Sequence, residues 1–431
     1  MDAAVTEQVK LQDTSNESKA SKAPVSPQTS EASEAHKSEH KAEVKPSSEV
    51  SEVTPVTRLN PHGFPQNTPK TDLSRLMLEL KQSRATSMHY QMCIPYLREI
   101  PEITIDTNLT KFTLAFAKSD MDDFAWTATF YPPLIAAMMY HGWLPTAYQI
   151  TDRSGKQAFC WGFPKLHTER CVLKWPDFVI HKQIKKKANK YLITVDRAFK
   201  QVVKAVKDQH DKCWIYPPLE KAFIDLHETN DQRATSHVHS VEVWAHKSML
   251  TEEKGEHGSA ASDSTDKKEK VDIAKLVEEI DAGKREIDWN DWVLVAGDLG
   301  YTVGTIYVSL SGFSNRAYSS AGSVQLAALG GLLQHCGIEL WDLGMTMKYK
   351  EDLGGRTIPR LELVEVYKQN RDKFVNLAPG QTPKDIADAP KFVGSSVRLQ
   401  CKDPISTKRA IGMAVVHKSH AASGGDDKKT E

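Results

Sequence analysis

No run of apolar residues in this 431-residue chain reaches the length of a membrane span, which excludes an integral helical membrane protein. The start of the chain lacks the basic-then-apolar layout of a secretory signal, and its many acidic residues argue against a transit peptide. A soluble, cytoplasmic protein with no membrane partner is therefore expected. Charge of one sign is missing too. Lys+Arg and Asp+Glu are both 56, which excludes a globally basic nucleic-acid binder but leaves room for a local patch. The six cysteines (Cys93, Cys160, Cys171, Cys213, Cys336 and Cys401) never fall in CxxC spacing. Scattered thiols predict a reducing compartment, not a disulfide framework.

Aromatic residues are absent before Phe64, and Ser, Glu, Lys, Ala, Val and Pro dominate that stretch. Such a segment cannot bury enough apolar surface to offset its ordering entropy, so residues 1–69 are predicted to be a disordered tail. The same reasoning applies to Lys247–Lys270, which has no aromatic, and to the end of the chain from Ser419. Between them lies the part expected to fold, taken as 70–180 and 181–390 with a flexible insertion at about 247–290, followed by a C-terminal extension and tail at 391–431.

The organising stretch is Val293–Pro359. Its first part reads as two strands with Gly-rich breaks. Val324, Ala328, Leu332 and their neighbours then follow helical spacing, and Gly337 supplies a stop. Ile338–Trp341 returns to strand, with Asp342 at its end. Two strands, a helix and a strand make an open sheet with a crossover helix, and chemistry in such sheets gathers at strand ends. Asp342 is thus either a general base or orienting carboxylate, or a cap for the segment that follows.

Elsewhere, helices are predicted over Thr71–Arg84, Leu134–His141, Asp196–Lys207, from Trp214 to about Glu228, and around Ile273–Ile280. Strands are predicted at Phe112–Phe116, Cys171–Leu173 and His237–Trp244, the last pairing antiparallel with the strand at Val293. Tyr-Pro-Pro-Leu occurs at Tyr131 and again at Tyr216, and each copy reads as a helix start. His181–Lys190 is the strongest cationic run. It is either a solvated face or a phosphate-contacting patch. His237 and His239 share a strand face, but a metal needs a third ligand and none has the right spacing. Trp214 is core or a stacking platform for a base. Glu242 is an outward polar residue or a pocket acid.

The order of the signals is specific. Phe130-Tyr-Pro-Pro-Leu leads to Gly142-Trp-Leu-Pro, then Cys160-Trp-Gly-Phe-Pro, the Lys-rich turn and Thr194-Val-Asp-Arg-Ala-Phe. His237-Val-His-Ser-Val-Glu-Val-Trp, Leu294-Val-Ala-Gly, Phe313-Ser314, Leu340-Trp-Asp and Leu353-Gly-Gly-Arg-Thr-Ile-Pro-Arg follow. Over about Phe130–Arg360 this resembles the leucyl/phenylalanyl-tRNA–protein transferases. The resemblance implies an α/β (α+β) protein: a small N-terminal α/β domain and an N-acetyltransferase-like (GNAT) mixed sheet. It implies transfer of Leu or Phe from aminoacyl-tRNA to the α-amine of a protein N-terminus, marking that protein for turnover. It implies no metal and no organic cofactor, and a monomer is expected.

On the same resemblance, Asp342 is the catalytic carboxylate. Trp214, Phe313, Ser314 and Gly344 hold the aminoacyl-tRNA donor, with the helix Val324–Leu333 helping Phe313 to line an apolar side-chain pocket. Lys182, Lys185, Lys186 and Lys187 contact tRNA phosphates. Apart from the resemblance, Glu242 and Asp298 are the acids expected to meet the acceptor. Three positions depart from the family's pattern. Asp342-Leu343-Gly344 lacks the Gln that the family places at 344, Leu310 stands where it places Glu, and Thr146 stands where it places Trp. Asp298 occupies a normally apolar position and offers a replacement acid. Two readings follow: a transferase with altered donor or acceptor choice, or an inactive homologue that still binds tRNA or a protein N-terminus.

Overall fold

The computed structural model describes residues 70–151, 158–210, 213–228, 235–250, 271–373 and 403–415. The predicted tails, apart from 403–415, and the charged stretch 251–270 lie outside the described residues. In chain order come α1 (Lys70–Cys93), α2 (Leu109–Ala117), α3 (Pro132–Tyr140), β1 (Ala147–Thr151), β2 (Ala158–Gly162) and β3 (Glu169–Leu173). Then follow α4 (Lys182–Lys187), β4 (Tyr191–Val195), α5 (Phe199–Gln209), α6 (Pro217–Glu228), β5 (His237–His246) and α7 (Ile273–Asp281). The organising stretch forms β6 (Trp292–Val303), β7 (Ile306–Ser314), α8 (Ala321–His335), β8 (Leu340–Gly344), α9 (Lys348–Asp352) and β9 (Arg356–Pro359). The chain continues through α10 (Arg360–Asn370), β10 (Ile405–Ser406) and α11 (Thr407–Val415). Among the described residues no helix is long and apolar enough to cross a membrane.

The large sheet has eight strands in the order β10-β4-β5-β6-β7-β8-β3-β9. Every neighbouring pair is antiparallel except β7 and β8, which run parallel and are joined by α8. β1 and β2 make a separate two-stranded ribbon. The sheet takes strands from both sides of residue 180, because β3 lies between β8 and β9.

Each sheet face carries its own core. The first packs α2, α3, α5, α6 and α10 around Val238, Leu299, Tyr301, Val308 and Leu340. The second packs α8 and α11 over Val241, Val243, Val295, Tyr307 and Trp341. Strand alternation explains the split: Val308 and Tyr307, or Leu340 and Trp341, are chain neighbours that point to opposite faces. The predicted periodicities hold closely here. Phe199, Val202, Val203 and Val206 are the buried residues of α5, and Ile273, Leu276, Val277 and Ile280 those of α7. Each such buried side chain contributes about 1.5–3 kcal/mol, more than intrinsic helix propensity can decide.

Two expectations need correction. Phe112–Phe116 is helical, not a strand. The Asn108 side chain caps α2 by accepting the Lys111 N–H, and Leu109, Thr113 and Phe116 are buried at helical spacing. Asp342 is not at a strand end. β8 runs on to Gly344, with Asp342 opposite Val308 on one side and Val172 on the other.

One glycine in the sheet has a packing reason. A Cβ on Gly300 would sit 2.4 Å from the Tyr307 hydroxyl oxygen. Gly300→Ala is therefore expected to destabilise the fold by roughly 1–3 kcal/mol through overpacking. A lowered urea midpoint at constant slope checks this; an unchanged midpoint would show that Tyr307 and the Val308 carbonyl, 2.5 Å from that Cβ, both move aside freely.

Candidate active site

Asp342 is fully buried on the first-core face. Its Oδ2 accepts from Arg170 Nη1 at 3.0 Å and from the Tyr367 hydroxyl at 2.8 Å, and its Oδ1 accepts from the Gly344 N–H at 2.9 Å. Arg170 also donates from Nη2 to the Gly142 carbonyl at 3.2 Å, and its side chain has no solvent exposure. Asp342 thus anchors β8 to β3, α10 and the turn after α3. It also holds Gly344, whose φ of +76° is a left-handed conformation that favours glycine.

Asp298 lies on the other face. It stands opposite Val241 in the β5–β6 register, and Val241 belongs to the second core. Its Oδ2 accepts from the Tyr307 hydroxyl at 2.8 Å and from Ser309 Oγ at 2.9 Å. Ser309 Oγ in turn accepts from Trp341 Nε1 at 3.0 Å. A chain of hydroxyl and indole donors therefore fixes the carboxylate. Its other oxygen faces exposed Gly312, where a Cβ would lie 3.6 Å from Oδ1. Burial raises the Asp298 pKa to about 7, against the lowering effect of the Tyr307 and Ser309 hydrogen bonds and of the Lys350 charge.

The Ser309 backbone faces Gly344 on the neighbouring strand. A Cβ built on Gly344 would meet only the Ser309 carbonyl, at 3.8 Å. Lys350 donates from Nζ to the Leu343 carbonyl at 2.6 Å and the Met345 carbonyl at 2.8 Å. Burial lowers the Lys350 pKa, partly opposed by nearby acidic groups that include Asp342 and Asp298. A carboxylate with a pKa near neutrality is able to take a proton from an amine.

The other predicted residues do not all converge. Glu242 is fully buried and accepts from Thr194 Oγ1 at 2.6 Å, Ser240 Oγ at 2.5 Å and the Ala198 N–H at 3.1 Å. Those bonds turn it into the fold, not toward a substrate, and β6 and β7 separate it from Asp342 by roughly 14 Å of sheet. Phe313 packs in the first core while Val324 and its helix fill the second, so they do not line one pocket as expected. Strand parity is the reason. Ser314 donates its N–H to Gln209 Oε1 at 2.8 Å. Trp214 is half-buried at the start of α6, edge-on to Phe223 with ring centroids 6.1 Å apart. Lys182, Lys185, Lys186 and Lys187 are exposed on α4. Lys187 Nζ is tied to Ser319 Oγ at 3.0 Å and Ser320 Oγ at 2.8 Å. His239 bonds Asp196 at 2.8 Å and Thr302 at 3.2 Å, and no metal-binding cluster occurs among the described residues.

Comparison with known proteins bears on this arrangement. The family described as leucyl/phenylalanyl-tRNA protein transferase matches residues 172–255 and 277–368. A leucyl/phenylalanyl-tRNA–protein transferase of Azotobacter vinelandii is 24% identical over 259 residues, covering 56% of this chain and 91% of that protein. The chain is similar to that family at low identity, as a diverged member would be. A second relative of the same description, from Rhizorhabdus wittichii, is 30% identical over 102 residues, covering 22% of this chain and 38% of the relative. A third, from Paracoccus denitrificans, is 38% identical over 69 residues, covering 16% of this chain and 32% of the relative. A solved structure titled crystal structure of FemX aligns at 13% identity and a TM-score of 0.28, over 45% of this chain and 60% of that one, and carries no weight for the fold.

Against the pattern of that family, two of the altered positions now have places. Leu310 is the extra residue of a bulge, since Ser309 pairs with Gly300 and Ser311 with Leu299. Its side chain packs on the first core, opposite the face of Asp298. Asp298 therefore does not stand where a carboxylate at 310 would. Ser309 links it to Gly344: the Ser309 hydroxyl donates to Asp298, and the Ser309 carbonyl is what a Cβ on Gly344 would meet. The residues that sequence reasoning missed are Arg170, Tyr307, Ser309, Trp341, Lys350 and Tyr367. Arg170 had a faint signal, a basic residue immediately before the apolar run Cys171–Leu173. Tyr367 had none, because its contact with Asp342 is long-range.

Proposed function

We propose that the protein moves Leu, Phe or a similar residue from charged tRNA to the α-amine of a protein N-terminus at the site beside Gly344, with Asp298 as the group that receives the amine. The observation carrying this reading is the Asp298 carboxylate, held by Tyr307 and by Ser309, whose carbonyl faces the glycine that replaces the family's Gln. The donor ester is already activated, so the protein has to orient two substrates and manage one proton. The acceptor ammonium gives its proton to Asp298. The free amine attacks the ester carbonyl, the bond to the ribose oxygen breaks, and that oxygen takes up a proton as the amide forms.

Asp342 acts here as a positioning residue. It fixes the Gly344 turn through the Gly344 N–H and touches no substrate. Trp214 offers a half-buried face for the terminal adenosine, and Lys182, Lys185 and Lys186 offer charge to the phosphate backbone. The parallel β7–β8 pair joined by α8, within an otherwise antiparallel sheet, supports a GNAT-like architecture for the transferase region. The test incubates the protein with Leu- or Phe-charged tRNA and peptides that vary in their first residue. Transfer to at least one peptide is expected. No transfer to any peptide, with a bacterial relative active alongside, overturns the reading.

A further inference from the structure

The C-terminal elements β10 and α11 lie beyond both segments matched by the family, yet they are built into the sheet next to the basic helix. β10 adds an outer strand, with Ile405 opposite Ile193 and Ser406 opposite Leu192. The Thr407 hydroxyl bonds the carbonyls of Ala188 and Tyr191, which bracket the turn following α4. α11 then lies so close on α8 that a Cβ on Gly331 would collide with the Ala410 carbonyl. From the other side, Asp281 at the end of α7 receives the Ser406 N–H at 3.1 Å and Ser406 Oγ at 2.9 Å, and pairs with Arg409 at 3.4 Å. The insertion and the C-terminal extension thus clamp each other against the end of α4.

Lys408 and Arg409 follow directly on Thr407, and both are exposed. They stand at the end of a helix that already carries Lys182, Lys185, Lys186 and Lys187, with exposed Lys190 in the turn below. Asp281 pairs with Arg409, and Lys408 shows no ion pair among the described residues.

We propose that β10 and α11 form an added part of the polyanion-binding surface: they brace α4 and extend its cationic face, through Lys408 and Arg409, along the tRNA backbone. This rests on the reading that α4 contacts tRNA phosphates. Each cation that neutralises a phosphate releases counterions, so affinity and its salt dependence report the number of contacts.

The test measures binding of deacylated tRNA to the full chain by filter retention across a salt series. The variants are Lys408→Gln/Arg409→Gln, and Lys182→Gln/Lys185→Gln/Lys186→Gln. Each removes charge at exposed sites, and circular dichroism checks the fold. The 408/409 pair is expected to weaken binding roughly fivefold or more and to flatten the slope of log K against log salt by about one to two. Thr407→Val, which frees the turn below α4, is expected to weaken binding with no change in formal charge. If the α4 triple variant weakens binding and the 408/409 pair does not, the extension has no part in the surface while the tRNA reading stands. If neither variant weakens binding, the α4 reading fails and this inference falls with it.

Discussion

Asp342→Asn is expected to destabilise the protein by about 3–5 kcal/mol, because it strands the Arg170 guanidinium in the core without a counter-charge. Asn has one acceptor oxygen where Asp has two, so it can keep the bond from the Gly344 N–H or those from Arg170 and Tyr367 but not all three, and the loss combines charge with hydrogen bonds. Arg170 has no exposed atoms to recruit water, and its second donor goes to a backbone carbonyl. Replacing both partners with apolar residues, as in Arg170→Met/Asp342→Leu, is expected to cost less than the single change, since no charge is then left buried. Urea unfolding of the three proteins at constant slope gives the comparison. A single variant within 1 kcal/mol of the parent would show that the pair does not anchor the sheet.

That result would also separate two roles. A carboxylate that takes a proton from a substrate would lose turnover when made an amide, whatever happened to stability. A positioning carboxylate would lose stability first, and the folded fraction would keep part of its turnover. The geometry favours the second outcome, because every partner of Asp342 belongs to the fold.

The elements were legible in the sequence wherever one face of a helix or strand is buried. α5, α7, β5 and the β6–β7–α8–β8 unit follow from apolar spacing, since burial of one face imposes that spacing. Phe112–Phe116 misled because its short apolar run fits either period, and the deciding signal was the Asn108 cap upstream. The site was less legible. Asp342, Glu242 and Asp298 were all visible as acids in strands, but which face each occupies depends on register. Two further residues of strand at β8, Leu343 and Gly344, turned Asp342 from an edge group into an interior one. The bulge at Leu310 carried the same ambiguity, because a bulge inserts a residue without a periodic signature. Contacts such as Arg170 with Asp342, far apart in sequence, leave no local trace at all.

Asp298→Asn is expected to reduce the maximal rate of transfer by about 10²–10⁴-fold, the usual contribution of a placed general base. The pH profile should change with it. With a pKa of about 7 the parent carboxylate is largely protonated at pH 6 and largely ionised at pH 8, so its rate should rise through neutrality and level off. The acceptor's own α-amine titrates near 8, a limb common to both proteins, so the readout is the difference between profiles at saturating acceptor. Stability should move the opposite way. The folded value of about 7 exceeds the ordinary 3.8, so the folded state holds a proton that the unfolded state releases. The stability this confers is complete below about pH 4 and is lost as pH rises to about 7. Asn carries no such penalty, so the variant should gain on the parent in thermal midpoint between pH 5 and pH 8 while it loses turnover. A variant with parental rates and profile would remove Asp298 from the chemistry. A midpoint difference that does not change with pH would show that the carboxylate is not held protonated by its burial.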